Sequence, residues 1–128
     1  AGLNVTHQLE MSEVRDAVRS VSDSGEFLYR VSQGYMDCLR SCGDKGPGAI
    51  GCHDPCAVMV LLDSSLFQAR RGCVVVEVKG EYTRGATIAD FSGRLGEAQT
   101  DVLLKVDAPR FYKEFARLIA ALPWKAPK

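Results

Sequence analysis

The sequence predicts an α/β domain in which helices come first, a β-hairpin follows, and a strand and helix close the chain. Three observations predict it. Apolar residues recur at helical spacing near both ends of the chain, the β-branched run Cys73 to Lys79 lies between them, and turn residues separate the segments. The composition, 46% hydrophobic and 25% charged over 128 residues, is that of one globular domain or a piece of one.

Taken in order, Gly2 to Gln8 reads as a short strand end that Thr6 and His7 leave, with Ser12 next as a helix N-cap. Val14, Ala17, Val18 and Val21 then repeat at the helical period. Ser22 to Gly25 interrupts, and Phe27, Leu28, Val31, Tyr35 and Leu39 restart the pattern on one face of a second helix running towards Cys42. Gly43 to Gly51, rich in glycine and holding Pro47, reads as a loop leading into a site. Asp54 is placed to cap a helix beginning at Pro55, because proline has no amide to leave unbonded there. That helix, Pro55 to Leu62, is apolar on every side and is expected to be buried.

Cys73 to Lys79 and Tyr82 to Ile88 read as two antiparallel strands, with Arg84 to Thr87 at their turn, and Val102 to Val106 as a third. Asp107 caps a last helix whose Phe111, Phe115, Leu118, Ile119 and Leu122 share a face. Residues 1–122 are thus one unit, and residues 123–128, with Pro123 and Pro127 around Trp124, a tail.

Sixteen Lys and Arg balance sixteen Asp and Glu, so the basic footprint of a nucleic-acid binder is missing and no nucleic-acid partner is expected. The longest apolar run, Cys56 to Leu62, is far shorter than the roughly 20 residues that span a bilayer, so no membrane partner is expected either. Five cysteines, an odd number in a chain able to build a core without staples, point to reduced thiols and a cytoplasmic location. The opening, Ala1 with Leu3 and Val5 close behind, reads as part of a longer or processed polypeptide.

Three constellations could carry chemistry. Cys38, Cys42, Cys52, His53 and Cys56 are possible zinc ligands, but Cys38 and Cys42 lie four apart on a predicted helix, unlike a Cys-x-x-Cys knuckle. They are better read as small apolar side chains. His53-Asp54, delivered by a glycine-rich loop to a helix start, combines a residue able to move protons near neutrality with a carboxylate. Thr6-His7, at a strand exit, is read as loop-start hydrogen bonding.

The segment His53-Asp54-Pro55-Cys56-Ala57-Val58 resembles the C-terminal portion of the inosine-uridine preferring nucleoside hydrolases. Further stretches resemble that family in the same order. Gly2-Leu3-Asn4-Val5-Thr6-His7 is similar to its Leu-(Asn/Asp)-Val-Thr-His segment, and Leu61-Leu62-Asp63 to Leu66-Phe67 to the segment after its His-Asp helix. Val74 to Val78, then Gly80-Glu81-Tyr82-Thr83-Arg84-Gly85-Ala86-Thr87 through Asp90, is similar to its Gly-x-x-Thr-Arg-Gly-x-Thr-x-x-Asp hairpin.

The resemblance implies the C-terminal part of a Rossmann-like nucleoside hydrolase fold, acting on the N-glycosidic bond of ribonucleosides to give ribose and free base in nucleoside salvage. It implies His53 as the acid that protonates the departing base, Asp54 as a calcium ligand that also meets the substrate, and Tyr35 as a residue near the base. The family's N-terminal Asp-x-Asp-x-x-x-Asp-Asp motif and its Glu-x-Asn segment are absent from this sequence. The chain alone is therefore expected to be inactive, and to associate with itself or with a complementing N-terminal half. A non-catalytic interaction or regulatory module derived from the same fold is the rival expectation.

Overall fold

The computed structural model describes residues 1–41 and 51–124. Its elements run α1 (Leu3–Thr6), α2 (Met11–Val18), α3 (Asp23–Ser41), α4 (His53–Leu62), β1 (Phe67–Val76), β2 (Thr87–Asp90), β3 (Thr100–Val106) and α5 (Ala108–Ala120), with a 3-10 turn at Ser64–Leu66. The sheet has strand order β2-β1-β3 and both pairings are antiparallel. The predicted sequence of helices, hairpin, strand and helix is therefore present.

β1 begins earlier than the β-branched run suggested, because Phe67 to Gly72 pair with β3 in a register broken by an irregularity between Gln68 and Ala69. β2 is shorter than expected. Residues 81–85 turn instead of extending, since the Glu77 carboxylate accepts from the amides of Lys79 and Gly80 and bends the chain there. Gly85, at φ 91°, takes a backbone conformation that side chains disfavour.

Gly2 to Gln8 is not a strand end. Leu3–Thr6 forms one helical turn, held on β3 by Asn4 Nδ2 donating to the Leu103 carbonyl (3.1 Å) and Gln8 Nε2 to that of Leu104 (3.2 Å). Tertiary hydrogen bonds here outweigh the local β preference. Nor does Ser12 cap α2: Glu10 stands at the N-cap, and its amide donates to the Tyr112 hydroxyl. The helix stops at Val18, short of Val21, because Ser20 turns to φ 60°.

α3 begins at Asp23, inside the segment read as an interruption, with the Ser22 hydroxyl accepting from the Gly25 amide, and Phe27, Val31 and Tyr35 are exposed while Ser24, Gly25 and Met36 are buried. The predicted apolar face of this helix is thus not its inner face. The expected glycine-rich loop lies outside the described residues except for Gly51, which bridges to Glu10. The adjoining Cys52 amide donates to the Leu9 carbonyl.

The core joins Val5, Leu9, Val14, Cys52, Cys56, Met59, Leu66, Phe67, Leu103 and Phe111. Phe111 is at its centre, edge-on to Phe67 (centroids 6.4 Å) and stacked on Phe115 (6.2 Å). Asp107 caps α5 as expected, accepting from the Arg110 amide at 3.2 Å. Trp124, in the segment read as a tail, packs on Phe27 with ring centroids 4.9 Å apart.

Candidate active site

The pairing of Gly51 with Glu10 and of Cys52 with Leu9 fixes where the chain enters α4. That anchorage starts the helix at His53, before the proline, so Cys52 is the N-cap and Asp54 and Pro55 fall within the first turn. Asp54 is therefore not the cap that the sequence suggested. Its exposed carboxylate is free of that duty and stands at the end of the helix where a negative charge is favoured.

α4 is not buried all round either. Cys56 and Met59 face the core, while His53, Asp54, Ala57, Val58, Leu61 and Leu62 are exposed, at spacings that trace one stripe of the helix. Val58, Leu61 and Leu62 keep 56%, 86% and 61% of their surface in contact with solvent.

The His53 ring is set by its neighbours. Its Nδ1 lies 2.8 Å from the hydroxyl oxygen of Thr6, a buried residue of α1, and its ring centroid lies 5.3 Å from that of His7. A cleft of about 480 Å³ opens beside it, with Tyr35, Val31, Ser32 and Met11 on one wall and His53, Asp54 and Gly51 on the other. A second, of about 280 Å³, borders His53 and Asp54 on the side of Leu3, Thr6 and Ala57. The three residues singled out in the sequence, Tyr35, His53 and Asp54, thus share one cleft.

Thr6, named in the sequence with His7 but read as loop-start hydrogen bonding, contributes through a contact with His53 that the sequence did not reveal. It lies 47 positions from His53, and only the adjacency of Thr6 and His7 hinted at it.

Cys42 lies outside the described residues; the described cysteines are free thiols, with Cys38 exposed and Cys52, Cys56 and Cys73 buried. Burial, with Cys56 and Asp54 adding to it, pushes the Cys52 thiol up to about 12, and burial likewise raises Cys56. Thiols held protonated are poor metal ligands and poor nucleophiles. Among the described residues, no three His, Cys, Asp or Glu converge as a metal site. Calcium takes about six to eight oxygen ligands, and Asp54 is the one carboxylate among the described residues lining either cleft. The described residues do not by themselves complete a calcium site.

The sequence of residues 1–113 matches the family model for inosine-uridine preferring nucleoside hydrolase. The chain is 32% identical over 124 residues to the non-specific ribonucleoside hydrolase RihC of Salmonella typhi, which aligns with 95% of this chain over 39% of its own length. The purine-preferring ribonucleoside hydrolase from Gardnerella vaginalis superposes with a TM-score of 0.72 and 32% identity, covering 93% of this chain and 38% of that one. The plant nucleoside hydrolase PpNRh1 superposes with a TM-score of 0.75 and 28% identity, covering 95% and 41%. The chain spans about two fifths of the length of these relatives. Those matches, in one order along nearly the whole chain and around the His53-Asp54 helix, place it in the inosine-uridine preferring nucleoside hydrolase family.

Proposed function

We propose that this chain supplies the leaving-group half of a nucleoside hydrolase site, which cleaves the N-glycosidic bond of ribonucleosides to ribose and free base. The observation that carries this reading is the His53 ring, held by Thr6 at the mouth of a cleft that Asp54 and Tyr35 also line, in a chain of this family.

A nucleobase leaves poorly as an anion, so it must be protonated as the bond breaks. His53, as imidazolium, gives its Nε2 proton to a base nitrogen while the electron pair of the C–N bond moves onto the base. The sugar becomes oxocarbenium-like, and water adding to its anomeric carbon completes ribose. Tyr35, exposed on the facing wall, is positioned to border the base. Asp54 would accept hydrogen bonds from ribose hydroxyls and would be one carboxylate ligand of a calcium ion, which would orient those hydroxyls and lower the pKa of a bound water, with the remaining ligands and the group that activates water coming from residues other than these.

The exposed stripe of α4 is where those residues join. It carries His53 and Asp54 at one end and only apolar side chains beyond them, and the relatives are more than twice as long as this chain. Its occupant is the complementary N-terminal part of a nucleoside hydrolase domain, on this polypeptide or another.

The test is ribose release from inosine and uridine by the chain joined to, or mixed with, such an N-terminal part. His53→Ala lowers release by about 10²–10⁴-fold, the range of general acid catalysis. Equal release by parent and variant would remove His53 from the chemistry.

A further inference from the structure

We propose that Thr6 and Gly51 are positioning residues for His53: Thr6 reserves Nδ1 with its hydroxyl, and the missing side chain of Gly51 leaves room at the Cε1–Nε2 edge. The inference rests on the reading of His53 as the acid, and it identifies which ring nitrogen exchanges the proton.

The geometry comes from three separate parts of the chain. Thr6 is buried, and its oxygen lies 2.8 Å from His53 Nδ1. Its one-turn helix is in turn anchored on β3 through Asn4 and Gln8, so the hydroxyl approaches from a fixed platform. Against the opposite edge of the ring, a Cβ built on Gly51 would fall 2.8 Å from His53 Cε1 and 3.1 Å from Nε2, and would collide with His7 Cδ2. Glycine is thus required here by close approach, since any side chain would press on the Cε1–Nε2 edge of the ring.

A hydroxyl suits this task because it both donates and accepts. With neutral His53 the Thr6 hydroxyl donates to Nδ1, which keeps the ring proton on Nε2. With imidazolium the same oxygen accepts from Nδ1–H, and Nε2–H is again the one left unreserved. In either state the nitrogen left for the substrate is Nε2, and a ring flip, which would put Cδ2 where Nδ1 stands, breaks the Thr6 contact. Supporting a histidine through the nitrogen that does not react is a general way of fixing its tautomer.

The experiment is long-range proton–nitrogen NMR of the histidine rings in this chain, at one pH where the imidazole is neutral. The parent shows His53 as a single Nε2–H tautomer. Thr6→Val, which keeps the shape and removes the hydroxyl, loses that single pattern and shows both tautomers, while Thr6→Ser retains it. Gly51→Ala shifts the ring signals of both His53 and His7.

A mixed or Nδ1–H tautomer in the parent overturns the proposal without any variant, so a failure of Thr6→Val to fold leaves it decided. An unchanged pattern in a folded Thr6→Val overturns it as well, and unmoved ring signals in Gly51→Ala overturn the part given to Gly51. None of these readings involves turnover. Loss of the proposed function, seen as undiminished ribose release in His53→Ala, is therefore a distinct result.

Discussion

α4 and α5 are both short helices rich in apolar residues, yet they relate to the core in opposite ways. α5 is amphipathic: Phe111 is fully buried, Phe115 and Leu118 pack against the core, and Asp107 caps the first turn. α4 has apolar residues on every side, no side-chain cap, and a stripe from His53 to Leu62 facing away from the core. A helix with a single apolar stripe has one neighbour to satisfy. A helix without a polar face has apolar surface left over, and in α4 that surface runs on from the candidate site at His53 and Asp54.

The comparison can be broken first at Phe111. Phe111→Ala, which empties the centre of the core, costs about 3–5 kcal/mol in denaturant unfolding, whereas a loss below about 1 kcal/mol would mean that α5 is not the helix that closes the core. The next effect is alkaline and belongs to the buried N-cap of α4. The Cys52 thiol is raised from 9.0 to about 12 in the folded chain. Its contribution to stability is complete below 9.0 and is lost as pH rises towards 12, because the unfolded chain then sheds a proton that the folded one keeps. Urea midpoints that decline over this range in the parent and decline less in Cys52→Ala would verify it.

Smaller still is the cap. Asp107→Ala costs about 1 kcal/mol, and Asp54→Asn changes the same unfolding curve by less than about 0.5 kcal/mol, since Asp54 caps nothing. Equal losses at the two aspartates would restore the cap that the sequence assigned to Asp54. The smallest change in the stability of this chain is that of Leu61→Ser, within about 0.5 kcal/mol. The same variant weakens binding to a complementary N-terminal part in analytical ultracentrifugation, and unimpaired binding would move the docking face elsewhere.

The two helices also mark where sequence reading succeeds. Phe111, Phe115 and Leu118 were legible because their spacing reports a single buried stripe, and Asp107 because a cap is a local pattern. The His53-Asp54 pair was legible as a motif. Its setting was not: α4 has no period to reveal an inner face, and its first residue is set by the contacts of Gly51 and Cys52 with Glu10 and Leu9. The contact of Thr6 was hidden for the same reason, since its bond to His53 crosses 47 positions. α1 looked extended because Leu3, Val5 and Thr6 suit a strand, and only the side-chain bonds of Asn4 and Gln8 to β3 make one helical turn the better arrangement.

The contact between Phe27 and Trp124 gives the molecule a built-in optical reporter. Trp124 is the one tryptophan in the chain, and its ring lies against Phe27 of α3. Its emission therefore follows how firmly residues after α5 are fastened to α3, while histidine resonances follow the cleft. A single sample can thus show whether a partner seated on α4 tightens only its own face or also the far end of the chain.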